Sequence, residues 1–151
     1  MNPDKIDQLR QVREIRRQAA ERELQAARRL VRRRESVVAA ERRKLEALHA
    51  QCNELAPQGR PDGLANVGEL LLADHQLRNV RQRIANQQQL LAKAQQACEQ
   101  AREERSKACQ AYRKRQQKVE GIDRQIEHLR LHEARRSERR AEDEAEAVAG
   151  M

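Results

Sequence analysis

The chain has 151 residues, of which 37% are charged, with a formal net charge of +8, a single Tyr and neither Trp nor Phe. This composition lacks the aromatic side chains of an ordinary globular core and is typical of long helices or of disorder. No apolar run approaches the ~18 residues of a membrane span, and the first residues lack the apolar segment of a signal peptide. Three cysteines without a CxxC motif fit a reducing compartment, so we expect a cytoplasmic protein.

The first predicted element is a helix over residues 4–55, because apolar residues recur there with a seven-residue period. This seam is interrupted by Arg34 and Glu41, two polar layers that cost stability but can fix the register. Upstream, the apolar stripe drifts off the seam, since its members are three residues apart: Ile6, Leu9, Val12 and Ile15. The a positions are Arg17, Leu24, Val31, Val38, Leu45 and Cys52, and the d positions are Ala20, Ala27, Arg34, Glu41, Leu48 and Leu55.

The second predicted element is a turn over residues 56–66. The stretch APQGRPDGLANVG, residues 56–68, holds two of the three prolines and three of the five glycines of the chain. Pro57 and Pro61 cannot continue a helix interior, and Gly59 and Gly63 can adopt positive φ. The chain is therefore expected to reverse direction here.

The third predicted element is a longer helix over residues 67–140, followed by an acidic, flexible tail over residues 141–151. Nine heptads run through this helix without a skip, which indicates a coiled-coil seam rather than disorder. Its a positions are Leu70, Leu77, Ile84, Leu91, Cys98, Arg105, Tyr112, Val119 and Ile126, and its d positions are Ala73, Val80, Gln87, Ala94, Ala101, Ala108, Arg115, Ile122 and Leu129.

Together these elements predict an all-α protein that forms a single antiparallel coiled-coil hairpin over residues 1–151, with the second helix the longer. In an antiparallel pair, a positions of one helix face d positions of the other. We predict a register in which facing residue numbers add up to 125, so that Leu48 faces Leu77 and Leu55 faces Leu70. The neighbouring register, with a total of 118, leaves almost no residues for the turn. In the predicted register the first helix ends opposite Val119.

The predicted register leaves an apolar stripe of the second helix, Ile122, Ile126 and Leu129, without an intramolecular partner. Such a stripe on a basic helix is expected to be a docking surface. Gly121 lies where the pairing ends, and a local weakness or bend is expected there.

Charge is distributed unevenly along this hairpin. Residues 1–34 and 93–140 each carry a net charge of +6, residues 35–92 are neutral, and residues 141–151 carry −4. Basic charge therefore concentrates in the half of the hairpin that holds both termini.

No catalytic or cofactor-binding residues are predicted, because the chain lacks nucleotide-binding glycine motifs and a two-helix hairpin lacks a concave pocket. We therefore expect a protein that is not an enzyme. His128 and His132 are four residues apart, but their positions on a charged helix favour exposed side chains over a metal site. Cys52 and Cys98 are expected to be small core residues on distant layers, and Cys109 is expected to be partly exposed.

Nucleic-acid binding is a further hypothesis, because the basic clusters RRLVRRR (28–34) and YRKR (112–115) could contact phosphates. Acidic residues are interleaved throughout, however, and aromatic side chains for base stacking are lacking. The charge is better explained by a solvated face or by an acidic protein partner, so no specific nucleic acid is expected.

A hairpin of this length, with its breakers at 56–68, basic arms and a longer second helix, resembles the central-stalk proteins of type III secretion systems, the YscO/FliJ-type family of the injectisome and flagellar export apparatus. The resemblance implies a monomeric stalk that is similar to the γ-subunit coiled coil of rotary ATPases. Its terminal end would enter a hexameric secretion ATPase. Its opposite end would reach the cytoplasmic domain of an export-gate membrane protein, and secretion chaperones are possible further partners. The protein would lie peripheral to the inner membrane and support the secretion of virulence or flagellar proteins.

The resemblance also implies two contact surfaces. The residues expected to face the ATPase are Ile6, Leu9, Arg13, Arg16, Val119, Ile122, Arg124, Ile126 and Leu129. Those expected to face the export gate are Leu71, Leu72, His75, Arg78 and Asn79, although the tip lacks the aromatic rings that flagellar relatives tend to present. Two alternatives remain: a generic coiled-coil scaffold, paired through residues 119–133, and a basic nucleic-acid-associated coiled coil.

Overall fold

A computed structural model describes residues 2–56 and 67–150 of the chain. Two α-helices account for nearly all of these residues: α1 spans Pro3–Leu55 and α2 spans Val67–Ala149. The helices contact each other in antiparallel orientation, which confirms the predicted all-α hairpin with a longer second helix. Apart from Ala56, the predicted turn over residues 56–66 lies outside the described residues.

The start of α1 is capped by the residue before it. The side-chain carbonyl oxygen of Asn2 accepts a hydrogen bond of 3.3 Å from the backbone N–H of Asp4. Pro3 occupies the first helical position, where its missing N–H leaves no intrahelical bond unmade. Asp4 places a negative charge in the first turn, where it interacts favourably with the helix dipole.

The end of α2 lies further along the chain than predicted. The helix continues to Ala149 instead of ending at residue 140, so residues 141–149 are part of α2 and not a tail outside it. The physical reason is that the segment AEDEAEAVA contains neither Gly nor Pro and is rich in Ala and Glu, which favour helix. Gly150 ends the helix, and its N–H bonds the carbonyl of Glu146 at 3.0 Å.

The chain divides into two compact units, each built from both helices. We call residues 1–25 with 107–151 the terminal unit, and residues 26–106 the central unit. The buried side chains of the terminal unit are Ile6, Ala20, Leu24, Val119 and Ile122. Those of the central unit are Val31, Val38, Leu77, Val80, Gln87, Cys98 and Ala101.

These buried side chains confirm the heptad assignment. Each lies at a predicted a or d position, or at Ile6, which extends the seam upstream. The upstream stripe also drifts as predicted, since Ile6 is buried whereas Val12 and Ile15 are 44% and 62% exposed. Arg34 is the exception within α1, because its side chain is exposed and forms no layer of the seam.

The predicted pairing register, by contrast, is wrong. In the terminal unit Arg10 was predicted to face Arg115, yet its Nε bonds Oδ1 of Asp123 at 2.7 Å. In the central unit Leu70 was predicted to be buried against Leu55, yet it is 50% exposed. The interhelical contacts in each unit are displaced toward the C-terminal end of α2. In the terminal unit the displacement is between four and eight residues. In the central unit it is three residues for Glu41 with Gln87 and twelve for Glu35 with Arg102, so the contacts scatter around one heptad.

A heptad seam explains why this error is possible. Sliding one helix by seven residues returns every a and d position to the seam, so the periodicity does not distinguish the two registers. The length of the connection between the helices does not select a register either, because the free energy of closing a loop changes slowly with its length. The choice depends on individual side-chain pairs across the seam.

Candidate protein-binding surfaces

The terminal unit is joined by three arginines that project from α1 toward α2. Besides the ion pair of Arg10 with Asp123, Arg13 donates from Nη1 to the backbone carbonyl of Lys118 at 3.2 Å. The hydrogen bond to Asp123, reinforced by its charge, raises the pKa of the Arg10 guanidinium above its ordinary value. These two contacts flank Val119 and Ile122 along α2 and so determine which part of α1 lies opposite them.

Arg17 is the third of these arginines and lies in a polar layer of the seam. Its guanidinium bonds Glu14 on the same helix at 2.6 Å and reaches the hydroxyl of Tyr112 on α2 at 3.5 Å. The hydrogen bond to Glu14, followed by that to Tyr112, raises the pKa of Arg17. The same bond lowers the pKa of Glu14 below its ordinary value. The only Tyr of the chain is therefore part of the helix pairing.

The residues predicted to face the ATPase do not form one exposed surface. Ile6, Val119 and Ile122 are buried within the terminal unit, and Ile122 is only 1% exposed. The prediction that Ile122 lacks an intramolecular partner is therefore wrong, because α1 extends one heptad further along α2 than the predicted register allows. Leu9, Arg13 and Ile126 are partly buried, and the exposed members of the set are Arg16, Arg124 and Leu129.

The residues predicted to face the export gate are all exposed. Leu71 and Leu72 are 65% and 58% exposed in the second turn of α2. His75, Arg78 and Asn79 follow on the same helix. Arg78 pairs with Asp74 at 3.0 Å, and Asn79 bonds His75 at 3.4 Å, so both contacts join residues one turn apart. Val67 and Leu70 are exposed as well, which enlarges the apolar patch.

The central unit contains a polar layer formed by Glu41 of α1 and Gln87 of α2, of which the sequence analysis identified only Glu41. Glu41 was recognised as a polar d position, and its partner is Gln87, a buried d position of α2. Nε2 of Gln87 donates to the Glu41 backbone carbonyl at 3.1 Å and also to the Glu41 carboxylate. This hydrogen bond lowers the pKa of Glu41 below its ordinary value. An amide among apolar d positions was the signal that could have identified Gln87.

The cysteines and histidines provide no chemical centre among the described residues. Cys98 is buried, Cys52 and Cys109 are partly buried, and all three are free thiols. In the described ranges, no three metal-ligating side chains converge to hold an ion. No helix over residues 2–56 and 67–150 is both long and apolar enough to cross a bilayer.

Comparisons with family models, with curated proteins and with solved structures each found no match. The fold and the surfaces define a two-helix coiled-coil hairpin with an apolar patch at the start of α2 and a charged, exposed segment at its other end.

Proposed function

We propose that this chain is a non-enzymatic central-stalk component of a bacterial type III secretion system. Its terminal unit would enter the hexameric export ATPase, and the start of α2 would contact the cytoplasmic domain of the export gate. The observation that carries the proposal is the antiparallel hairpin itself, with a second helix that continues past the paired region as an exposed segment rich in both basic and acidic residues. The likeness to the YscO/FliJ-type family supplies the functional context.

The physical basis of the proposed activity is asymmetry. One helical hairpin inside a six-fold ring cannot make identical contacts with every subunit. Its binding energy therefore favours different conformations around the ring and can bias the catalytic cycle. The contact is expected to combine the exposed charges Arg16 and Arg124 with the partly exposed Leu129. The buried Ile122 contributes indirectly, by holding the two helices together.

The stalk is tested by steady-state phosphate release from the cognate secretion ATPase with and without this protein. Wild-type protein should stimulate hydrolysis. The double variant Arg16→Glu, Leu129→Ser should not stimulate hydrolysis, whereas its circular dichroism spectrum should match that of wild type. A matched control changes Arg32 to Glu and Ala50 to Ser, two exposed positions of α1 in the central unit, and should stimulate like wild type. Unchanged hydrolysis, together with no complex on a sizing column, would remove the stalk proposal.

The gate contact has its own test. Changing Leu71 and Leu72 to Ser should leave the melting temperature nearly unchanged, because both side chains are mostly exposed. The same double variant should lose binding to the isolated cytoplasmic domain of the export-gate protein. Retained binding would place the gate contact elsewhere on the chain.

The burial of two seam residues counts against the alternative of a coiled-coil scaffold in which two copies pair through residues 119–133. Pairing of two copies through residues 119–133 requires an accessible seam, yet Val119 and Ile122 are buried inside the terminal unit. A second copy could reach them only by displacing α1.

A further inference from the structure

A shallow apolar groove lies near the start of α1 in the terminal unit. Its floor is formed by Ile6 and by Leu129, which is 40% exposed. Arg124, Gln125 and His128 form its polar rim. The groove measures about 520 Å³, enough for one large apolar side chain. The guanidinium of Arg124 and the imidazole of His128 therefore lie directly beside the apolar floor.

A stripe of nitrogen-bearing side chains continues from this groove along α2. The members are spaced three or four residues apart, which places them within roughly 80° on one helix face at 100° per residue. The acidic residues of the segment, Glu127, Glu133 and Glu138, fall outside this arc. We call this set the basic stripe, and it consists of Arg124, His128, His132, Arg135 and Arg139.

All five side chains of the basic stripe are exposed. Arg124 bonds the backbone carbonyl of Glu120 at 3.4 Å. Within the described part of the terminal unit, the ion pairs involve Arg10 and Arg17, and none involves a member of the stripe. The stripe thus differs from Arg10, Arg13 and Arg17 of α1, which contact α2.

We propose that the groove and the basic stripe form one binding surface for an acidic helix of a partner protein. A large apolar side chain of that helix fills the groove between Ile6 and Leu129. Carboxylates at three- and four-residue spacing on the same face then meet the stripe. The buried anchor supplies most of the affinity, whereas the charges set orientation and speed of association. This inference rests on the groove and the stripe and does not require the stalk assignment.

Charge and shape favour an acidic helix over other polyanions. A nucleic-acid strand offers no aliphatic side chain for the groove, and the terminal unit offers one Tyr for stacking, which is engaged with Arg17. A flat anionic membrane would also meet Glu127 and Glu138, which border the stripe on one side. A straight helix, by contrast, presents its carboxylates in a line about as narrow as the stripe itself.

The probe for this surface is a labelled, alanine-rich helical peptide with one leucine followed by glutamates at the spacing of the stripe. Fluorescence anisotropy with the full chain measures its affinity. The variant Arg135→Gln, Arg139→Gln should weaken binding roughly tenfold, as expected for two lost charge pairs beside an apolar anchor. The matched variant Arg130→Gln, Arg140→Gln removes the same charge from other faces and should change affinity by less than about twofold. Leu129→Ala should weaken binding without altering the stripe.

Several outcomes overturn the proposal. One is no peptide binding, and another is an equal loss in both double variants, which indicates unspecific charge attraction. A peptide with glutamine in place of glutamate that binds equally well contradicts the role of the stripe. Tighter binding of single-stranded DNA or of phosphatidylserine vesicles than of the peptide assigns the surface to those ligands. Self-association that disappears in Glu142→Gln, Glu146→Gln identifies the occupant as a second copy, because these two carboxylates lie on the same face of α2.

Discussion

The side-chain amide of Gln87 donates from Nε2 to both the backbone carbonyl and the carboxylate of Glu41, and so joins a d position of α2 to a d position of α1. The buried amide is satisfied here by a partner on the other helix. Polar layers of this kind lower stability yet restrict the register, because every other alignment leaves a buried polar group unpaired. The pair therefore favours alignments that keep residues 41 and 87 together, and the ion pair of Arg10 with Asp123 separates the observed register from the predicted one.

We predict that Gln87→Leu and Glu41→Leu each lower the melting temperature. The reason is that each leaves one member of the pair without its partner in a partly buried site. The double variant should recover most of the loss, since two leucines pack against each other at the seam. Thermal unfolding followed by circular dichroism measures all three variants. Additive losses in the double variant would show that the pair is not coupled.

Acid should weaken the hairpin through the same carboxylate. The pKa of Glu41 is lowered in the folded state, as is that of Glu14, so both contribute stability that is present above the ordinary glutamate pKa of about 4.3. This stability is lost as the pH falls through that value and on toward the lower folded-state pKa. Glu41→Gln lacks this contribution, so the gap between its melting temperature and that of wild type should narrow between about pH 5 and pH 3. A gap that stays constant would contradict the lowered pKa.

The burial of Ile122 leads to a prediction about stability. Ile122→Ala should lower the free energy of unfolding by about 2–5 kcal/mol, because it removes buried methyl groups and leaves a cavity in the terminal unit. Leu131→Ala is the matched control, since Leu131 is 52% exposed and its truncation should cost less than about 0.5 kcal/mol. Urea titrations provide both values. Similar values for the two variants would favour the register in which Ile122 has no partner.

The register itself can be measured with spin labels in a background without cysteines. A label at position 10 should lie closer to a label at 123 than to one at 115, because Arg10 pairs with Asp123. The two α2 sites are about 12 Å apart along the helix axis, which pulsed electron paramagnetic resonance resolves. The opposite order of distances would restore the predicted pairing of residues 10 and 115.

The sequence allowed the seam to be predicted but not the alignment of the two helices. The heptads identified nearly every buried residue, from Leu24 to Val119, because helical periodicity determines which face is apolar. The alignment depended on side-chain pairs such as Arg10 with Asp123, whose partners lie on different helices and leave no periodic signal. The set of residues predicted to face the ATPase contains the same error, because it includes Ile122 as a residue without a partner on α1, whereas Ile122 is buried. Leu71 and Leu72 lie off the predicted seam and are exposed, whereas Leu70, which was predicted on the seam, is exposed as well.

Gly121 gives a further prediction. This residue lies within α2 beside the buried Ile122, and a methyl group added to its Cα would meet no atom of α1 and no side chain beyond its immediate neighbours within 4 Å. Gly121→Ala should therefore raise the free energy of unfolding by about 1 kcal/mol, through the better helix propensity of Ala and the smaller entropy of its unfolded chain. Urea titration tests this value. A destabilised variant would reveal that the backbone at Gly121 adopts a bend that Ala resists.

The seven-residue repeat of the seam also determines which insertions and deletions are compatible with the packing of the two helices. Within the paired parts of the helices, deleting seven consecutive residues from α2 keeps the remaining apolar positions on one face, whereas deleting three or four rotates everything beyond the cut away from α1. Past residue 130 all side chains of α2 are exposed, so insertions and deletions of any size leave the packing intact there. Related genes should accordingly differ in length by whole heptads in the paired part and by arbitrary numbers of codons after it.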